Sequence, residues 1–463
     1  MKAIDVHGFG GGFTLGAVQA GFELTAKFSR SKGFGVYNTL ANRHLLGDRW
    51  DSITGAPDEW EPMQADAVIG NPPCSGFSTL SRADFRGLDS AANDYMWELI
   101  NYAGLVAPPL VIWESVQQTF RQGIPLLRQL HQRLEELSEH KYGLWHVLHN
   151  NASVGGVSTR RRYFFVASRM PFGVDHYPLD YVPQFKDALV DLLPLSLTMQ
   201  AQPYKSVRHL HTAECMAQQE ECHCPVEVLG SSRWAREHMH DGTGMVDGHD
   251  VTRSPSFDRV EELCREEEWF EGESISEVLR RYYGKHGKLP RGWYYPTTVD
   301  ARDEEGNLLG TGEKETLMKA DQLIRTDFAM GHNQQVRWHW EKLARVITGG
   351  ACHLVLHPKL PRTLTQREAA RIQGFPDAWK IWPVRHAPDL GPGWGKGVPV
   401  HAGKWIAEWG LKALGGTPGP ITGVPLHEHD RKLGQKFGQY ENELVIDLTN
   451  DYKPFALAFG DRG

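Results

Sequence analysis

Short apolar runs that stop abruptly at polar residues constrain this chain more than any other feature. Residues 65–70 (ADAVIG) end at Asn71-Pro72-Pro73, residues 110–113 (LVIW) end at Glu114, and residues 163–167 (YFFVA) follow three consecutive arginines. Lys2–Val6 runs into a glycine-rich turn at residues 8–12. Runs this short and this apolar read as buried strands. Between them lie stretches with helical spacing: residues 15–20, and 122–140 with Ile124, Leu127, Leu130, Leu134 and Leu137. Strands alternating with helices predict an α/β fold, a parallel sheet with helical crossovers. Such a sheet binds its ligands outside the carboxyl ends of its strands, which is where the polar motifs fall.

The alternation fades after residue 170. Residues 171–335 read as an inserted, irregular lobe, with an acidic run (Glu261, Glu262, Glu266, Glu267, Glu268) and a basic-aromatic stretch, RRYYGKHGKLPRGWYY, at 280–295. A helix pattern returns after residue 360 and again at 401–413, so residues 336–415 read as a return to the first domain and 416–463 as a peripheral extension. A chain of 463 residues is long enough for two or three lobes. Six cysteines make no disulfide framework and suit a reducing compartment. No stretch approaches a membrane span and the start has no signal-type apolar region, so no membrane partner is expected. A net charge of −7 gives no global sign of nucleic-acid binding, though a local basic face is compatible with it.

Four side chains on strand ends carry the chemistry. Cys74, in NPPCSGFS, is presented by a proline-stiffened turn. Glu114 follows its strand directly, and Arg160 and Arg162 alternate along another and point to one side. Each alone has an ordinary structural reading: a buried thiol, a surface carboxylate, a solvated basic edge. The glycine turn suits close approach of a nucleotide-like cofactor, but a glycine run is weak by itself.

Taken in order, these segments resemble the DNA cytosine-C5 methyltransferase family. The matching motifs are DVHGFGGGF, NPPCSGFS, WESV, VSTRRR, and, after the irregular lobe, HP, RTLTQREAARIQGFPD and GKGVPV. The resemblance covers roughly residues 1–170 and 340–412. It implies a Rossmann-like S-adenosylmethionine-dependent methyltransferase sheet with an inserted target-recognition lobe. It assigns Cys74 to attack on C6 of a flipped cytosine, Glu114 to N3 and the exocyclic amine, Arg162 to O2 and Arg160 to loop support. It assigns the cofactor to Asp5, His7, Gly8, Phe9, Gly11, Gly12, Asp48, Pro72, Lys396 and Val398. Double-stranded DNA is the implied partner, with Ser78, Arg281, Lys285 and Arg291 as candidate contacts. A monomer in the cytoplasm of a bacterium or a phage-infected host is the expectation.

The chain also departs from the family pattern. The family has phenylalanine at the position of His7 and glycine at that of Phe9, and the acid that holds the cofactor ribose is replaced by Ser29. Ser75, Ser115 and Ser158 stand where glutamine, asparagine and glutamine are usual. The closing turn reads Gly-Lys-Gly-Val-Pro where the family has Gly-Asn-x-Val-Pro. An ammonium about 4 Å from a sulfonium, at an effective dielectric near 20, is repelled by roughly 4 kcal/mol. Either Lys396 swings away or gives up its proton, or the donor carries an anionic group, as carboxy-S-adenosyl-L-methionine does. The first case gives 5-methylcytosine from S-adenosyl-L-methionine and is the leading expectation. The second gives 5-carboxymethylcytosine. Two other classes stay open: a tRNA cytosine-C5 methyltransferase, and a catalytically silent DNA-binding module. The set His209, His211, Cys215, Cys222 and Cys224 lacks paired C-x-x-C spacing, so a polar loop is expected there rather than zinc.

Overall fold

The structure is a computed structural model. It describes residues 1–30, 34–74, 76–78, 86–175, 179–181, 183–190, 263, 266–287, 336–347, 355–359, 364, 366–379, 394–419 and 445–449, and four short strands between 206 and 250. Within the first 170 residues lie β1 (Lys2–Val6), α1 (Gly12–Ala20), β2 (Glu23–Ser29), α2 (Phe34–Leu40), β3 (Asp51–Thr54), β4 (Ala67–Gly70), α3 (Asp94–Val106), β5 (Leu110–Ser115), α4 (Gln117–Gln122), α5 (Ile124–Ser138), β6 (Gly143–Asn150) and β7 (Arg161–Ser168). Further along lie α6 (Ile275–His286), α7 (Gln366–Ile372), α8 (Val400–Leu414) and β8 (Val445–Asp447). One eight-stranded sheet runs in the order β8-β6-β7-β5-β4-β1-β2-β3.

Strands β1 to β5 pair in parallel, as the alternation predicts. The sheet is not parallel throughout. β7 is antiparallel to both β5 and β6, and β8 is antiparallel to β6. The turn at residues 151–160 is too short for a helical crossover, so β6 and β7 form a hairpin-like pair. That reversal brings the start of β7, with its arginines, to the carboxyl ends of β4 and β5.

Both faces of the sheet are covered. On one, Val68, Val111, Trp113, Tyr163 and Phe165 pack beneath α3, α4 and α5 through Leu99, Phe120, Leu127 and Leu130. On the other, Ile69, Ile112, Val147, Phe164 and Val166 meet Trp405, Ile406 and Trp409 of α8 and Phe13 of α1. A third cluster joins Leu15 and Leu24 to Trp338, Ile347, Phe375, Trp379 and Trp394, so residues past 336 pack against α1 and β2. Between residues 190 and 260, two antiparallel strand pairs are described, Ser206–His209 with Val226–Leu229 and Met245–Val246 with His249–Asp250. Among the described residues, no helix is long and apolar enough to cross a membrane.

Candidate active site

Glu114 sits inside β5, one residue from its end, and is 1% exposed. The strand's burial carries it into a poorly solvated place, and two neighbours bind it there. Arg162 Nε lies 2.8 Å from Oε1, and Asn71 Nδ2 donates to Oε2 at 2.6 Å. Asn71 is the first residue after β4, so the adjacent parallel strands deliver the pair together. Burial pushes the Glu114 carboxyl up to about 7, against the opposing pull of Arg162 and Arg160. Cys74 is partly exposed, three residues beyond Asn71. Burial, and then the charge of Glu114, push its thiol up to about 11, with Arg162 and Arg160 pulling the other way. The four strand-end residues therefore share one electrostatic neighbourhood.

Arg160 is 1% exposed and donates to three main-chain carbonyls: Ile347 at 3.2 Å, and Gly395 and Gly397 at 2.8 Å each. Its guanidinium thus grips both glycines that flank Lys396. Desolvation, with Arg162 nearby, lowers its pKa to about 9, which leaves it charged at neutral pH. Lys396 itself is exposed, and among the described residues no ion pair engages it. The Cβ position of Gly397 is 3.9 Å from the Phe9 carbonyl, and that of Gly12 is only 2.0 Å from the Val398 carbonyl. The closing turn therefore rests against the glycine turn after β1, and a side chain at residue 12 would drive them apart.

The glycine turn lies at the carboxyl end of β1, where the chain crosses from β2 on one side to β4 on the other. This is the switch point where open α/β sheets bind nucleotides. Space is open beside Gly10 (φ +59°), and Oδ1 of the fully buried Asp5 has no hydrogen-bond partner. Room for a side chain beside Gly10 and an orphan carboxylate oxygen on Asp5 fit a nucleoside-bearing cofactor. Asp5 Oδ2 is held by Thr14 and by Lys27 Nζ at 3.0 Å, and Lys27 also donates to the Gly8 carbonyl. His7, with φ +58°, is in the left-handed region that non-glycine residues occupy at a cost. Its Nε2 lies 2.9 Å from Glu98 Oε2, and its ring packs between Trp60 and Tyr95. Arg30, just past β2, pairs with Glu98 and stacks over Tyr95 at 4.2 Å. Burial raises the Glu98 pKa, but His7 and Arg30 outweigh it and hold the carboxyl below its ordinary range.

The remaining candidates are more dispersed. Phe9, Gly11 and Pro72 lie in the two turns just described, and Val398 is buried beside the glycine turn. Asp48 is exposed, and its main-chain carbonyl accepts from Arg43 at 2.8 Å. Ser78 is partly exposed, four residues beyond Cys74. Arg281 and Lys285 are on α6, which starts at a Ser274–Glu277 capping box and stops at Gly287. Both are engaged with acids nearby: Arg281 Nε is 3.2 Å and Lys285 Nζ 2.7 Å from Glu267, and Arg281 also binds Glu273. Arg291 lies outside the described residues, as do Ser75, Cys215, Cys222 and Cys224. Among the described residues, no group of three or more His, Cys, Asp or Glu side chains could hold a metal ion. Sequence reasoning did not single out Lys27, Arg30, Asn71 or Glu98. Glu98 and Arg30 carried no signal, whereas Asn71 was signalled by its place at a strand end.

A Type II methyltransferase of Fusobacterium nucleatum, M.FnuDI, is 22% identical over 228 residues, 48% of this chain and 62% of its own. M.HindV of Haemophilus influenzae, also a Type II methyltransferase, is 23% identical over 167 residues, 36% of this chain and 52% of its own. The chain thus spans between half and two thirds of these relatives. A solved structure described as a DNA modification methyltransferase encoded within an E. coli prophage superposes with a TM-score of 0.51 at 16% identity, over 90% of this chain and 99% of that one. The fold is therefore that of such enzymes. The model of the C-5 cytosine-specific DNA methylases matches residues 1–410. This chain belongs to the C-5 cytosine-specific DNA methylase family.

Proposed function

We propose that this protein alkylates C5 of a cytosine in double-stranded DNA, with the base turned out of the helix against Cys74 and Glu114. The observation that carries this reading is the buried Glu114 carboxyl, poised near neutrality and held by Asn71 and Arg162 beside a thiol. Cytosine C5 is a weak nucleophile until a sulfur adds at C6. The Cys74 thiol gives up its proton to water at the rim, and Sγ forms the bond to C6. The Glu114 carboxyl hydrogen-bonds N3 and stabilises the electron density that this addition pushes into the ring. Arg162, with Nε on Glu114 and Nη1 on the Arg161 carbonyl, offers Nη2 to the cytosine O2. The turn at residues 5–12 would hold S-adenosyl-L-methionine, which would supply an electrophilic carbon to C5, its carbon–sulfur bond breaking to leave the neutral thioether. After transfer a base takes the C5 proton, Sγ leaves C6 and the ring double bond returns.

A second reading concerns the donor, and Lys396 favours it. Its ammonium has no partner among the described residues, and it rides on a turn that Arg160 fixes beside the glycine turn. A cation fixed there suits a donor with a carboxylate on the transferred carbon, carboxy-S-adenosyl-L-methionine, whose product is 5-carboxymethylcytosine.

One experiment tests both readings: nucleoside mass spectrometry of DNA incubated with each donor, with the wild type beside Lys396→Asn. Modified cytosine in DNA from either donor is expected. A 5-carboxymethylcytosine peak that disappears in Lys396→Asn assigns donor selection to the lysine, whereas 5-methylcytosine alone, unchanged in the variant, removes that reading. Modification of tRNA instead of DNA, or of neither, would overturn the proposal.

A further inference from the structure

We propose that Arg161 and Asn150 form a second site, for a phosphate group, on the face of the sheet opposite Glu114. Register carries the first step. Asn150 of β6 lies directly across from Arg161 of β7, so the two side chains share a face. Arg160 and Arg162 point to the other face, where they meet the closing turn and Glu114.

Burial carries the second step. Nε, Nη1 and Nη2 of Arg161 are all shielded from solvent, and none has a hydrogen-bond partner. Asn150 is fully buried. Its Oδ1 accepts the Ala152 N–H at 3.2 Å, which fixes the amide's orientation and leaves Nδ2 as a donor with no acceptor. In the layer beneath, neither the Tyr163 hydroxyl nor a ring nitrogen of His146 accepts from Arg161 or from Asn150 Nδ2. Tyr163 and Phe120 stack there with ring centroids 5.9 Å apart, beside His146, which burial holds uncharged. No carboxylate among the described residues pairs with Arg161. A guanidinium and an amide buried together without an acceptor are costly, and such a pair points to an acceptor from outside.

A tetrahedral phosphate suits these donors, because two oxygens meet the guanidinium fork and a third reaches the amide. It has two sources, a free phosphate ion or a phosphodiester of the DNA substrate. The second rests on the function proposed above: Arg161 as a residue is partly exposed and directly follows the turn that leads out of β6.

The test compares full-length wild type with Arg161→Met and Arg161→Lys. Thermal melts without DNA, with and without inorganic phosphate, read the site directly. Covalent trapping on duplex DNA containing 5-fluorocytosine, across a salt series, reads the DNA source. Arg161→Met is expected to melt a few degrees higher than wild type without phosphate, since a buried unpaired charge is gone, and to lose the phosphate-dependent rise of the wild type. With a backbone phosphate as ligand, its half-saturating DNA concentration rises about tenfold, and the log–log salt slope shrinks by about 0.9. Arg161→Lys keeps that slope and loses part of the affinity. A phosphate-dependent melting shift with unchanged DNA behaviour assigns the site to the free ion. Wild type that traps no DNA, but whose phosphate shift vanishes in Arg161→Met, sinks the DNA reading and leaves the site standing. An Arg161→Met protein that melts lower and responds to phosphate and DNA as wild type does would overturn the proposal.

Discussion

Cys74 is held as a thiol by its surroundings, and that sets how it should respond to pH. A pKa near 11 against an ordinary 9 leaves about a hundredfold less thiolate at pH 8. Its alkylation by iodoacetamide is therefore expected to be slow at neutral pH and to climb until about pH 11. Glu114→Gln deletes a negative charge beside the sulfur and should move that profile to lower pH; an unmoved profile would mean that the two groups do not interact. The Glu114 carboxyl, raised to about 7, keeps its proton below neutrality and loses it as pH rises through 7. Turnover that depends on this proton should fall above pH 7, and a rate-versus-pH series checks the sign. These two residues were legible in the sequence because each stands where an apolar run stops. Lys27 was not, because it reads as an ordinary polar position in a strand; only the pairing of β1 with β2 reveals it as the buried partner of Asp5.

At the scale of elements, the start of β7 does more than present side chains. Arg160 joins the strand to residues 347, 395 and 397, each through a main-chain oxygen. Replacing it with alanine strands three carbonyls in a dry place, and a loss on the order of 3 kcal/mol is expected. Faster hydrogen exchange confined to residues 394–398 would locate the effect, and an Arg160→Ala protein as stable as wild type would refute it. The strand itself was foreseen from YFFVA, but its direction was not. β6, GLWHVLHN, mixes apolar residues with two histidines and an asparagine, so it carries no clean strand pattern. Without β6 in view, nothing in the sequence says that β7 returns antiparallel. Helix α6 carries pairing that its sequence does not show. Its basic residues look like a surface for nucleic acid, yet Arg281 and Lys285 each meet Glu267, whose side chain is 1% exposed.

Across the whole molecule, α1 and α8 lie in close contact, and glycine makes this possible. A Cβ on Gly16 would come within 2.4 Å of the Lys404 nitrogen and 2.7 Å of the Val400 carbonyl. Gly16→Ala is expected to cost about 3 kcal/mol, read as a lower melting temperature. Helix α8 also supplies Trp405, Ile406 and Trp409 to cover one face of a sheet whose central strands come from the first 170 residues. That separation has a consequence for biosynthesis. The 235 residues between Arg160 and Gly395 take on the order of 10 to 50 s to translate at roughly 5–20 residues per second. Throughout that interval the nascent chain already holds Cys74, Glu114 and the arginines, yet one sheet face lies bare and the closing turn has not left the ribosome. Chaperone demand should peak in that window, and Arg160 cannot find its carbonyl partners until residues 395–397 have emerged.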